Sequence, residues 1–126
     1  MNDHTAGVVL FRQETSAEAV KASKQAQVNV AIIDNLGLCY IAFFERAYPM
    51  DKITEITNAQ CGSNLSYEDV HEMGKNILKE ERAFNQNSGF APGADRLPDF
   101  FKEEPLPPKN VVFDVPDSEI DSFWDF

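Results

Sequence analysis

The chain has 126 residues, of which 43% are apolar and 25% charged, and 21 acidic residues against 11 basic ones give a formal net charge of −10. These values fit a single globular domain with a modest core, and the acidic balance argues against nucleic acid as a partner, because like charge repels a phosphate backbone. No run reaches the apolar length that spans a bilayer and no charged-apolar-small leader opens the chain, so a cytoplasmic location and no membrane partner are expected.

Met1 to Arg12 begins polar, includes the short apolar run Val8-Val9-Leu10-Phe11 and shows no helical period, which predicts an irregular lead-in. Thr15-Ser16-Ala17-Glu18 has the form of a capping box, and neither glycine nor proline follows until Gly37. Val28, Val30 and Ile32 alternate as a strand would, but length and the upstream cap favour a helix closed by Gly37. Asp34 shares a helical face with Val30 and Ala31.

A second apolar segment runs from Leu38 to Ala47 and stops at Tyr48-Pro49, with Tyr40, Phe43 and Phe44 at core spacing. Asp51 is expected to cap a further helix that carries Ile53 and Ile56 and ends near Gly62. Ser66 and Asp69 form another capping box, before a helix that places Val70, Met73, Ile77 and Phe84 on one face. Its first turns are acidic and its later turns hold Lys75, Lys79 and Arg82, as the helix dipole favours.

From Asn85 onward, glycines and prolines punctuate a long connection with a turn of helix near Asp99 to Lys102. Val111-Val112-Phe113 reads as a short extended piece. Pro116-Asp117 starts a last helix with Ile120, Phe123 and Trp124 on a shared face. The fold class is therefore all-α: about four main helices in one domain, residues 1–126, with a long irregular C-terminal arm. Acidic residues gather after residue 95, as on a polar tail wrapped over a larger body.

Asp34-Asn35-Leu36-Gly37-Leu38-Cys39 gathers a carboxylate, a glycine and a thiol after an apolar run. Each has an ordinary reading: Asp34 as a helix-end residue, Gly37 as a C-cap, Cys39 as a small core residue. Cys61 reads as a half-buried structural thiol and His71 as a solvated side chain. His4, Cys39, Cys61 and His71 have no pair at zinc-ligand spacing. With two cysteines and no Cys-x-x-Cys, the thiols are expected to be reduced.

The segment resembles the second Asp-x-x-Gly-Leu-Cys motif of the tungsten-dependent aldehyde:ferredoxin oxidoreductases. Other pieces follow in that family's order: Asp3-His4-Thr5-Ala6-Gly7; Asn58-Ala59, then Gly62 and Leu65-Ser66; Arg82-Ala83-Phe84-Asn85 with Gly89-Phe90; Asp95-Arg96-Leu97-Pro98; and Glu104-Pro105-Leu106-Pro107. The likeness covers nearly the whole chain and corresponds to the family's C-terminal part.

The resemblance implies that Asp34 hydrogen-bonds a pterin ring and that Leu38 contacts it through its backbone. It implies that Gly37 permits close approach, and that Cys39 is the fourth thiolate of a [4Fe-4S] cluster and hence the metal-ligating residue. The cofactors implied for the parent enzyme are that cluster and a tungstopterin (tungsten or molybdenum held by two pterins). Its reaction would convert aldehydes to carboxylic acids, with ferredoxin taking the electrons. The family's upstream Cys-x-x-Cys-x-x-x-Cys and its other pterin motif have no counterpart here, and Asn87-Ser88 stands where relatives often carry arginine and glutamate. The expectation is therefore a domain excised from a larger enzyme, or a separately encoded or decayed piece. Such a piece would carry no catalytic residue, bind neither cofactor alone and depend on the remaining domains as partners. The alternative is a stand-alone helical interaction module derived from that family.

Overall fold

The computed structural model describes residues 15–41 and 49–126. The lead-in before Thr15 lies outside them, with Asp3 to Gly7, as do Phe43, Phe44 and most of the second apolar segment. Three long helices carry the described part: α1 (Ser16–Asn35), α2 (Met50–Cys61) and α3 (Tyr67–Asn87). Two short ones follow in the arm, α4 (Phe100–Glu103) and α5 (Asp117–Asp121), with 3-10 turns at Pro92–Ala94 and Ser122–Trp124. Among the described residues the only β pairing is an isolated antiparallel bridge between Leu106 and Val111. The fold is all-α.

The local signals at the ends of α1 outweigh the strand-like alternation inside it. Thr15 is extended, and its hydroxyl oxygen accepts from the Glu18 N–H at 3.2 Å. Within the helix Val28, Ile32 and Ile33 fall on one face and are almost fully buried. They pack with Ile53, Val70, Leu78 and Phe123 into one core cluster. Burying such aliphatic side chains contributes roughly 1.5–3 kcal/mol each, which exceeds the small propensity disadvantage of β-branched residues in a helix.

Helix α3 crosses α1 at Gly74. A Cβ built there would lie 2.7 Å from Ile32 Cγ1 and 2.9 Å from the Val28 carbonyl oxygen. A helical glycine costs about 1 kcal/mol relative to alanine, and here it permits a close crossing. The face turned to α1 is thus Val70, Gly74 and Leu78. The expected stripe Met73, Ile77 and Phe84 lies round the side: Met73 and Ile77 are half-buried and Phe84 is 69% exposed. Hydrophobicity alone misses this because the residue at the closest approach has no side chain.

Two further expectations are corrected. Pro49 is the N-cap of α2, and Asp51 sits inside the first turn, where it complements the dipole without capping. The buried residues of α2 are Ile53, Thr54 and Thr57, whereas Ile56 is exposed. The Thr54 and Thr57 hydroxyls donate to the carbonyls of Met50 and Ile53, so burying them leaves no unmet donor.

The Ser66–Asp69 capping box forms completely: the Ser66 N–H and hydroxyl donate to the Asp69 carboxylate at 2.8 Å each, and Ser66 Oγ accepts from Asp69 N at 3.1 Å. The arm beyond α3 folds back over α1 and α3. Arg82 pairs with Asp95 and stacks over the Trp124 ring at 4.7 Å. Arg96 bridges Asp117 and Asp121 at 3.2 and 2.8 Å. The Lys24 ammonium donates to the carbonyls of Ser122 and Asp125 and lies 4.7 Å from the Phe126 ring centre. Phe113 N donates to the Phe101 carbonyl, which ties the extended piece to α4.

Candidate functional site

The residues singled out by the sequence sit in one turn at the C-terminal end of α1. Gly37 has φ +66, the left-handed conformation that ends helices and that glycine adopts without strain. Its N–H donates to the Asp34 carbonyl at 3.1 Å, and the Leu38 N–H reaches back to the Ile33 carbonyl at 3.0 Å. This pair of bonds is a Schellman motif. Its usual companion is an apolar contact from the residue after the glycine, and Leu38 is half-buried against the core cluster that holds Ile32 and Ile33.

Anchoring Leu38 fixes its neighbours. Asp34, in the last turn of α1, is exposed, and so is Cys39. Tyr40 and Ile41 follow, 42% and 72% exposed. The turn therefore presents a carboxylate, a thiol and two large apolar side chains to solvent on a backbone held by two internal hydrogen bonds. A Cβ built on Gly37 would meet nothing within 4 Å, so one face of the turn is open. The Asp34 carboxylate has no cation or donor partner among the described residues.

The chemistry of this set follows from its atom types. A carboxylate and a backbone carbonyl accept hydrogen bonds, and a thiolate holds a soft metal centre. Because the N–H groups of Gly37 and Leu38 are both engaged by α1, a contact through the Leu38 backbone has to use its carbonyl oxygen. Among the described residues no three His, Cys, Asp or Glu side chains converge as a metal-binding group. The thiol is one donor, not a complete metal site.

Cys61, expected half-buried, is exposed at the last residue of α2, beyond the buried Ile53 and Thr57. His71 is more than a solvated side chain: its ring stacks on Tyr67 at 5.9 Å, and Gln25 Nε2 lies 3.1 Å from its Nε2.

The other motif residues form the scaffold around the turn. Asn58 clamps the loop between α2 and α3, its amide donating to the Leu65 carbonyl at 2.9 Å and accepting from Leu65 N and Ser63 Oγ at 2.8 Å each. Gly89 repeats the end of α1: its N–H donates to Gln86 and that of Phe90 to Asn85, with φ +95 at the glycine. Arg82, Asp95 and Arg96 carry the ionic contacts of the arm. Sequence reasoning left these contacts unassigned; the signals for Asn58 were the Asn58-Ala59 piece in the family's order and its place four residues before a glycine that ends a helix.

A family model described as aldehyde ferredoxin oxidoreductase, domains 2 & 3, matches residues 3–125. Among curated proteins, the tungsten-containing aldehyde ferredoxin oxidoreductases of Pyrococcus horikoshii and Thermococcus kodakarensis are each 37% identical over 95 residues, and that of Pyrococcus furiosus is 34% identical. The matched stretch is 75% of this chain and 15% of each relative, so the chain spans a small part of the length of the proteins it matches. No solved structure matches it.

Proposed function

We propose a function from one premise: this chain belongs to the aldehyde ferredoxin oxidoreductase family. Its part is to support a tungstopterin and supply one thiolate to a [4Fe-4S] cluster inside a larger cytoplasmic enzyme that oxidises aldehydes to carboxylic acids with ferredoxin as electron acceptor. The observation that carries this reading is the turn at residues 34–39, where the family-like Asp34, Leu38 and Cys39 share one rigid frame with Asp34 and Cys39 facing outward. Had Cys39 been a small core residue, its thiol would be covered, and it is exposed.

The donor set suits the groups concerned. Asp34 offers carboxylate oxygens and Leu38 its carbonyl oxygen, acceptors that match the N–H donors of a pterin ring. The side chain of Gly37 is a hydrogen, so a flat ring can approach the backbone there. Cys39 offers a thiolate, the ligand that iron–sulfur clusters require. When bound, the tungsten centre and cluster would take electrons from the aldehyde and hand them on one at a time. This chain's residues hold and orient; none is assigned a bond-making step.

The test is made in the full-length enzyme containing this segment. Replacing Cys39 by alanine should lower the iron content and abolish or alter the cluster's electron paramagnetic resonance signal. Unchanged iron and an unchanged spectrum would refute the ligand role. Asp34→Asn keeps shape but replaces an acceptor oxygen with a donor, and should reduce tungsten and pterin retention while leaving iron in place.

A further inference from the structure

Helix α3 has a second apolar stripe that the described residues leave partly open, with Met73 at the edge of the core cluster. Met73 and Ile77 are half-buried, and Phe84, further along the same stripe, is exposed. Two grooves of about 560 and 410 Å³ run beside it and share Ile77 and Glu81. The first follows α3 from Asp69 to Glu81; the second crosses to Val30, Ala31 and Asp34 of α1. At about 1.5 Å per residue the α3 stretch is roughly 18 Å long, room for some three turns of a docked helix.

The rim is of one sign. Glu72 is neutralised by Lys75 and Asp69 is engaged by Ser66, but Glu80 and Glu81 have no cation partner among the described residues. No lysine or arginine lines either groove. An apolar floor between unpaired carboxylates complements an amphipathic helix flanked by cations. A second copy of this chain does not fit, since it brings a net charge of −10 and the same acidic rim.

We propose that this face is the docking surface for a helix from the remainder of the parent enzyme, one with an apolar stripe between lysine or arginine residues. The proposal rests on the reading that the chain works inside a larger protein, but it makes no use of Cys39 or of any cofactor.

The probe is a 14-residue amphipathic peptide of leucine and lysine, titrated into the isotope-labelled chain by NMR and calorimetry, with a leucine–glutamate twin as control. Resonances of Val30, Met73, Ile77 and Phe84 should shift with the lysine peptide only. Glu80→Lys with Glu81→Lys should weaken binding roughly tenfold or more, and Phe84→Ser several-fold. Glu103→Lys with Glu104→Lys changes net charge equally on the exposed arm and should leave affinity within about twofold. The proposal falls if the lysine peptide does not bind, if the twin binds as well, if the arm variant loses as much, or if sedimentation finds the chain pairing with itself through this face. Iron retention in the Cys39 variant is read separately, so either idea can fail alone.

Discussion

Single residues decide most of what this turn can do. At Gly37 the backbone conformation demands glycine, while the space around it does not. Gly37→Ala should therefore cost about 1–2 kcal/mol, the penalty of a left-handed L-residue, read as a lower midpoint in denaturant unfolding. Gly74 is the opposite case, with ordinary helical backbone and no room. Alanine gains about 1 kcal/mol of propensity but drives its methyl into Ile32 and the Val28 carbonyl, and a helix carbonyl cannot step aside. Overpacking wins, and Gly74→Ala should lose about 1–3 kcal/mol, measured the same way. Of the two glycines, the sequence announced only Gly37, by its place after an apolar run. Gly74 stands in the middle of a helix, where nothing local distinguishes a close crossing from a weak point.

At the scale of elements, caps and stripes carry the argument. The Ser66 N–H and hydroxyl hold the Asp69 carboxyl below the usual carboxylate range, the backbone donor contributing most. A carboxyl with a lowered folded-state pKa stabilises above its unfolded value, and that contribution is lost as pH falls through the folded value. Acidification below about pH 4 should therefore loosen the start of α3, seen as faster amide exchange at residues 67–70. Asp69→Asn should be looser there at neutral pH and lack that acid-dependent step. Both ends of α1 and the start of α3 were legible because caps are local, set by side chains within three or four residues. The inward face of α3 was not, because two apolar stripes compete on it and only the partner helix selects between them.

At the scale of the whole molecule, charge fastens the arm to the helices. Arg82 joins Asp95 and Trp124, and Arg96 joins Asp117 and Asp121, so each ties sequence-distant pieces together. Arg82 is the less exposed of the two, and its pair is screened less by salt. Arg82→Ala should cost about 1–2 kcal/mol and speed proteolysis of residues 92–126, while the cut rate within α1 stays near that of the parent chain. The sequence by itself determined the helical class, the caps of α1 and the start of α3, the irregular arm and the family, because each rests on short-range chemistry or on a run of residues in order. The tertiary structure decided that Leu38 points in while Asp34 and Cys39 point out, that Gly74 is where α1 and α3 meet, and that the described residues cover the stripe of Met73, Ile77 and Phe84 only in part. Those outcomes depend on which surfaces meet across the chain, and no window of residues contains both partners of such a contact.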